Sequence, residues 1–163
     1  MALNLQSYQI QKINERTYSF ITKKGIEYRC IFISYAEYFP NHPDIASNIF
    51  SFNLELKDPK AKLPKGTDKR IADTVISIVG DFLASKTNAV VYVCDNSDGK
   101  EAVRARKFLS WFNYIEYPEI IQINNNFKVG GLFIYSAMLI HRKNKHKKEF
   151  ALAYLELTED DEK

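Results

Sequence analysis

Two stretches of this 163-residue chain gather side chains that can hold an anion or activate a water. The first is CDNSDGKEAVRARKFLSWF, from Cys94 to Phe112, in which Asp95 and Asp98 precede Arg104 and Arg106. Paired carboxylates can take a metal or accept a proton from water, and guanidinium groups can clamp a phosphate. The second is KDPKAKLPKGTDKR, from Lys57 to Arg70, in which Lys60, Lys62, Lys65, Lys69 and Arg70 crowd around the Gly66-Thr67-Asp68 start of a helix. Lysines bind phosphate as point charges, and the free amides of a first helical turn add to them.

Each cluster also has a purely structural use. Asp95 and Asp98 suit the closing of a turn and the capping of a helix, while Arg104 and Arg106 suit ion pairs on a solvated face. A calcium loop is excluded because Gly99 falls at the wrong distance from Asp95, and no metal is expected. At the second cluster Asp68 sets a negative charge where an anion would bind. His42, between Pro40 and Pro43, reads as a solvated loop histidine, since no partner motif accompanies it.

The elements that must position these residues follow from periodicity. Ala89 to Cys94 is apolar without interruption, as in a central strand covered on both faces. The polar elbow after it, capped by Ser97 or Asp98, leads to a helix whose Ala102, Ala105, Phe108, Leu109 and Phe112 share a stripe. Trp111 lies off that stripe and, if exposed, would mark a protein interface. Upstream, Tyr8 to Thr22 reads as a strand or hairpin, Lys23-Lys24-Gly25 as a turn, and Tyr28 to Tyr35 as an antiparallel second strand. Phe39 to Asp44 is a proline-broken loop. Ile49 to Leu56 alternates as a third strand, and Ile71, Val75, Ile78, Val79 and Phe82 form the buried stripe of a helix capped at Thr67 or Asp68 and ending near Lys86.

Beyond the elbow, Ile120, Ile121 and Ile123 start a short strand, Asn124 to Asn126 a turn, and Leu132 to Ile140 a long strand. His141 to Lys148 reads as a solvated basic turn. Phe150, Ala153, Tyr154 and Leu157 share one face of a short closing helix, with a strand as the alternative. The order is β-β-β-α-β-α-β-β, an α/β (α+β) fold with a mixed, largely antiparallel sheet flanked by helices. One globular domain over residues 1–157 and an acidic, frayed tail over 158–163 account for the length.

Composition narrows the partners. The net charge of +3 does not by itself call for nucleic acid, and no run of apolar residues is long enough to span a bilayer, so a cytoplasmic protein without a membrane contact is expected. Cys30 and Cys94 both lie in apolar runs and read as buried, reduced thiols. The run Arg142, Lys143, Lys145, Lys147 and Lys148, joined to residues 57–70 in one flat basic face, would suit phosphates of a nucleic acid.

The order of elements resembles the GNAT acyltransferase family without its first two helices, over about residues 8–140. The pattern around Cys94, Asp95, Asp98, Arg104, Arg106, Phe108 and Trp111 is similar to an uncharacterised bacterial domain family with no assigned role. The acyltransferase resemblance implies acetyl-CoA as cofactor, held by Lys65, Gly66, Thr67, Lys69 and Arg70, in a cleft between strands splayed near Asn53 and Val93, with Tyr135 as general acid. Only Gly66 of the glycine-rich phosphate loop survives, and Pro64 removes a donor. The leading expectation is therefore a non-catalytic binding or regulatory module on an acyltransferase-like scaffold. Its partner would be a protein, a second copy paired through the Leu132 to Ile140 strand, or an anionic small molecule. The alternatives are an acyl-CoA-dependent N-acetyltransferase and a nucleic-acid-binding module.

Overall fold

Alternating side chains in the N-terminal third build an antiparallel meander, and the sheet grows from it. The computed structural model describes residues 5–62, 68–94, 118–125, 127–129 and 131–161. Strands β1 (Gln11–Asn14), β2 (Thr17–Ile21), β3 (Glu27–Ser34) and β4 (Ile49–Leu56) pair in order, each antiparallel to the last. Gly25 turns β2 into β3 at φ +81, a left-handed conformation that a side chain would strain. On the outer edge, β1 is four residues long and its register slips between Lys12 and Asn14, a bulge that blunts the open edge.

The connection between β3 and β4 carries a 3₁₀ turn, Ala36–Tyr38, ahead of the expected Phe39 to Asp44 loop, and a one-turn helix α1, Pro43–Ala46, that begins within it. Pro43 enters at the first helical position, where its missing N–H has no bond to lose. Helix α2 (Lys69–Leu83) then crosses to β5 (Ala89–Cys94), which lies parallel to β4. The strands β6 (Ile120–Asn124), β7 (Phe127–Val129) and β8 (Leu132–His141) complete the sheet in the order β1-β2-β3-β4-β5-β8-β6, with β7 on β8. The closing element is a helix, α3 (Lys147–Asp161), which runs on into the acidic stretch. The fold is thus mixed α+β with a mostly antiparallel sheet. The elbow and the helix expected after it lie outside the described residues, as does Trp111. No described helix is long and apolar enough to cross a membrane.

Strand β8 corrects one expectation. From Ala137 to Ile140 it pairs with β5 on one side and with β6 on the other, so among the described residues this length of the strand is interior and offers no edge to a second copy.

The two faces of the sheet bury separate cores. Phe20, Phe32, Phe50, Phe52 and Val90 face α2, whose Val75, Ile76, Ile78 and Val79 are fully buried against them. Phe82 stacks on Phe32 at 3.9 Å between ring centres and meets Phe50 edge-on, fixing the roll of the helix over the meander. On the opposite face Ile49, Ala89, Val91, Met138 and Ile140 pack against Phe150, Ala153 and Tyr154 of α3. The alternation in β4 feeds both: Phe50 and Phe52 go to one core and Ile49 to the other.

Candidate functional site

The basic cluster at the start of α2 is held by the chain's own N-terminal segment. Asp68 is the N-cap, its Oδ1 accepting from the Arg70 amide at 2.9 Å. Its Oδ2 accepts a short hydrogen bond from the Tyr8 hydroxyl, which raises the Tyr8 pKa, with burial adding to the shift. Arg70 lies over the Tyr8 ring at 3.9 Å and donates to the carbonyls of Gln6 and Ser7 at 3.3 and 3.4 Å. The next turn continues the clasp. The Gln6 amide donates to Asp73 Oδ2, the Tyr8 amide to Thr74 Oγ1, and the Ser7 hydroxyl meets that of Ser77 at 2.7 Å. Two buried residues, Asp73 and Thr74, are thereby explained: they accept main-chain donors of a segment 66 or 67 residues away.

Lys69 and Arg70 are the described members of the expected phosphate loop, and they share one helix start. Lys65, Gly66 and Thr67 fall outside the described residues, as do Asp95, Asp98, Arg104 and Arg106 of the elbow. Tyr135 sits on β8 in register with Cys94, at the end of the sheet where β4 and β5 finish. The backbone thus brings the Tyr135 position, the end of β5 and the approach to α2 to one end of the molecule.

At that end the parallel ladder between β4 and β5 runs only from Ile49–Ala89 to Ser51–Val91, although β4 continues to Leu56 and β5 to Cys94. Asn53, beyond the last rung, turns its amide back to Ser51 Oγ at 3.3 Å and toward the Ile31 carbonyl at 3.5 Å. Tyr92 inclines toward Phe52 at 6.2 Å between rings.

The second basic segment is at the other end. Strand β8 is antiparallel to β5, so residues 142–148 follow His141 beside the start of β5, whereas residues 57–62 follow Leu56 beside its finish. Among the described residues, the two basic segments therefore lie at opposite ends of β5 and do not form one face. The 141–148 stretch is also less solvated than its composition suggests. His141 and Asn144 are buried, and Asn144 Oδ1 accepts from the His146 amide at 2.8 Å while its Nδ2 reaches the Asn88 carbonyl. His141 Nδ1 accepts from the Lys143 amide at 3.0 Å, and its Nε2 faces Glu119 at 3.3 Å. Burial is the main cause that lowers the His141 pKa; Glu119 opposes it, and Lys86, Lys143 and Arg142 assist.

Two other expectations have definite outcomes. His42 is a loop residue, and its Nε2 sits 2.7 Å from Glu156 Oε2, tying the α1 turn to α3. Cys30 is fully buried, and burial pushes its thiol up to about 12, which makes it inert as a nucleophile. Sequence reasoning missed the clasp of residues 6–8 on α2, because neither Tyr8 nor Asp73 stands in a recognisable spacing. It also missed a groove of about 500 Å³ beside the edge strand, lined by Gln9, Ile10, Gln11, Ser19, Phe20 and Ile21.

Among solved structures, the chain is similar to that of a CoA-dependent acyl-homoserine lactone synthase, MesI, at 10% identity and a TM-score of 0.36, over 87% of this chain and 71% of that one. No curated protein sequence matches. The chain belongs to the family of unknown function DUF6169, whose profile spans residues 67–156.

Proposed function

We propose that this chain is a non-catalytic binding or regulatory domain that uses an acyltransferase-like order of strands as a scaffold. The observation that carries this reading is the occupancy of the α2 start. The Asp68 carboxylate caps the helix, Arg70 is spent on the Tyr8 ring and two main-chain carbonyls, and the next turn is hydrogen-bonded to residues 6–8. A pyrophosphate there would have to displace a carboxylate of its own sign and an arginine already satisfied.

A second reading is favoured by the short ladder between β4 and β5. The two strands stop pairing beyond Ser51 and Val91, at the end of the sheet where the Tyr135 position lies and where an acyl chain would enter in this reading. In that reading acetyl-CoA is held by Lys65, Gly66, Thr67, Lys69 and Arg70, and Tyr135 is the acid.

Isothermal titration calorimetry with acetyl-CoA separates the two. The first reading expects no heat with ligand at millimolar concentration. Micromolar binding that disappears in a Lys65→Ala/Arg70→Ala variant would overturn it and establish the second.

A further inference from the structure

Directly opposite residues on neighbouring strands share one face of a sheet, and Gln11, Ser19, Arg29 and Glu55 form such a row across β1, β2, β3 and β4. Tyr18, Phe20, Cys30 and Phe32 alternate with this row and are buried in the core beneath α2, so the row lies on the opposite face. Helix α3 packs on that face over Ile49, Ala89, Val91, Met138 and Ile140, whereas Ile13 of β1 and Ile33 of β3 stay 50% and 49% exposed.

Within the row Arg29 is incompletely satisfied. Its Nε is buried and has no hydrogen-bond acceptor, although Glu55 stands directly opposite in register. A guanidinium N–H taken out of water without an acceptor is unfavourable. The neighbouring carboxylate on this face, Glu27, is engaged by Lys57 at 3.3 Å.

On its other side Arg29 faces Ser19, a buried residue that also lines the groove of about 500 Å³. The groove opens where the pairing of β1 with β2 ends at Gln11 and Ser19, while β2 runs on to Ile21. Gln9 and Gln11 bring side-chain amides to it; Ile10, Phe20 and Ile21 bring apolar surface, and Ile21 is 56% exposed.

We propose that this groove binds a monocarboxylate with an apolar body, its carboxylate taken by Arg29 and its body lying along Ile10, Phe20 and Ile21. A carboxylate matches the planar fork of a single guanidinium. With the exposed Glu55 beside it, one arginine leaves no surplus charge for a phosphate dianion. A groove of about 500 Å³ is in the range that small ligands occupy. The proposal does not depend on which reading of the α2 start holds.

The test is isothermal titration calorimetry of the full chain with octanoate, 1-octanol, acetate and octyl phosphate, each below the concentration at which it forms micelles. Octanoate is expected to bind at one site, at least about tenfold more tightly than the other three. Arg29→Gln removes the charge and the fork and is expected to weaken octanoate by at least about tenfold. Arg29→Lys keeps the charge without the fork and should fall between the two. Ile21→Glu sets a carboxylate in the groove and should abolish binding with an unchanged circular dichroism spectrum, because Ile21 is largely in water. Should Arg29→Gln misfold, Ile21→Glu carries the test. No heat with octanoate at millimolar concentration would overturn the proposal. So would an Arg29→Gln or Ile21→Glu chain that folds and binds octanoate like the wild type, octanol or acetate that binds as tightly as octanoate, or octyl phosphate that binds more tightly.

Discussion

The Tyr8 hydroxyl donates to the carboxylate of Asp68, the same carboxylate that accepts the Arg70 amide and caps α2. One side chain thus closes the helix and anchors the segment that precedes the sheet, two tasks separated by 60 residues of chain. Asp68→Ala removes both partners and leaves the Tyr8 hydroxyl and the Arg70 amide short of an acceptor, a loss of about 2 kcal/mol. Asp68→Asn keeps a competent cap and loses less, about 1 kcal/mol. Urea unfolding followed by circular dichroism ranks the three proteins, and equal midpoints would contradict the double role.

The fold was readable in the sequence wherever a period ran long enough to be unambiguous. Phe50, Phe52 and Leu54 alternate with Ser51, Asn53 and Glu55, and β4 begins and ends at the residues that the pattern marks. Val75, Ile78, Val79 and Phe82 mark the inner face of α2 equally well. What stayed hidden depends on partners distant in the chain. The basic composition of residues 141–148 suggests solvent, yet Asn144 is buried because Asn88 lies beside it in the folded chain. Likewise, Leu132 to Ile140 has the character of any apolar strand, and only the insertion of β8 between β5 and β6 shows that Ala137 to Ile140 is paired on both sides. Of the candidate site, the helix start at Asp68 was legible from capping chemistry, whereas its occupation by Tyr8 was not, since no spacing rule links them.

Alkaline pH is expected to unfold the protein in steps. Burial pushes the Cys30 thiol from 9.0 up to about 12 and the Tyr154 phenol from 10.0 up to about 12; burial also raises Tyr18, helped by its bond to Asp81. A folded-state pKa above the unfolded value means that the neutral form is favoured in the fold. That stability is complete below the unfolded pKa and is lost as pH rises toward the folded one. Urea midpoints should therefore hold steady from neutral pH to 9.0, then fall, with a steeper decline once the tyrosines join above 10.0. Cys30→Ala should flatten the first part of the decline, and an unchanged onset would remove Cys30 from the account. Alkylation by iodoacetamide, located by mass spectrometry, should spare Cys30 until the chain unfolds.

Acid acts through His141. Its Nδ1 is an acceptor for the Lys143 amide and its Nε2 faces Glu119, so the neutral ring with its proton on Nε2 fits this turn. The folded pKa is lowered from 6.5, chiefly by burial. Stability from this group is therefore full above 6.5 and declines as pH falls through the folded value, where protonation of Nδ1 would set it against the amide. His141→Gln should be less stable than the wild type at neutral pH and show a shallower loss from pH 6.5 downward. Should both proteins lose stability in parallel, the acid response belongs to other groups.

The clearest energetic coupling is predicted between Ser136 and Tyr154, which hold α3 to β8. Their hydroxyls meet at 2.6 Å, with Ser136 1% exposed and Tyr154 fully buried, so water cannot substitute for either partner. Tyr154→Phe keeps the ring in its core and strands the Ser136 hydroxyl, at a cost of about 1 to 3 kcal/mol. Ser136→Ala strands the phenol and costs a similar amount, about 1 to 3 kcal/mol. The double variant strands neither, so its loss should be smaller than the sum of the single losses by at least about 1 kcal/mol, a coupling typical of residues in direct contact. Thermal and urea unfolding of the four proteins close the cycle. Additive losses would mean that α3 is held by its apolar face alone, through Phe150 and Ala153, and that the buried hydroxyl pair contributes nothing to the docking of the helix.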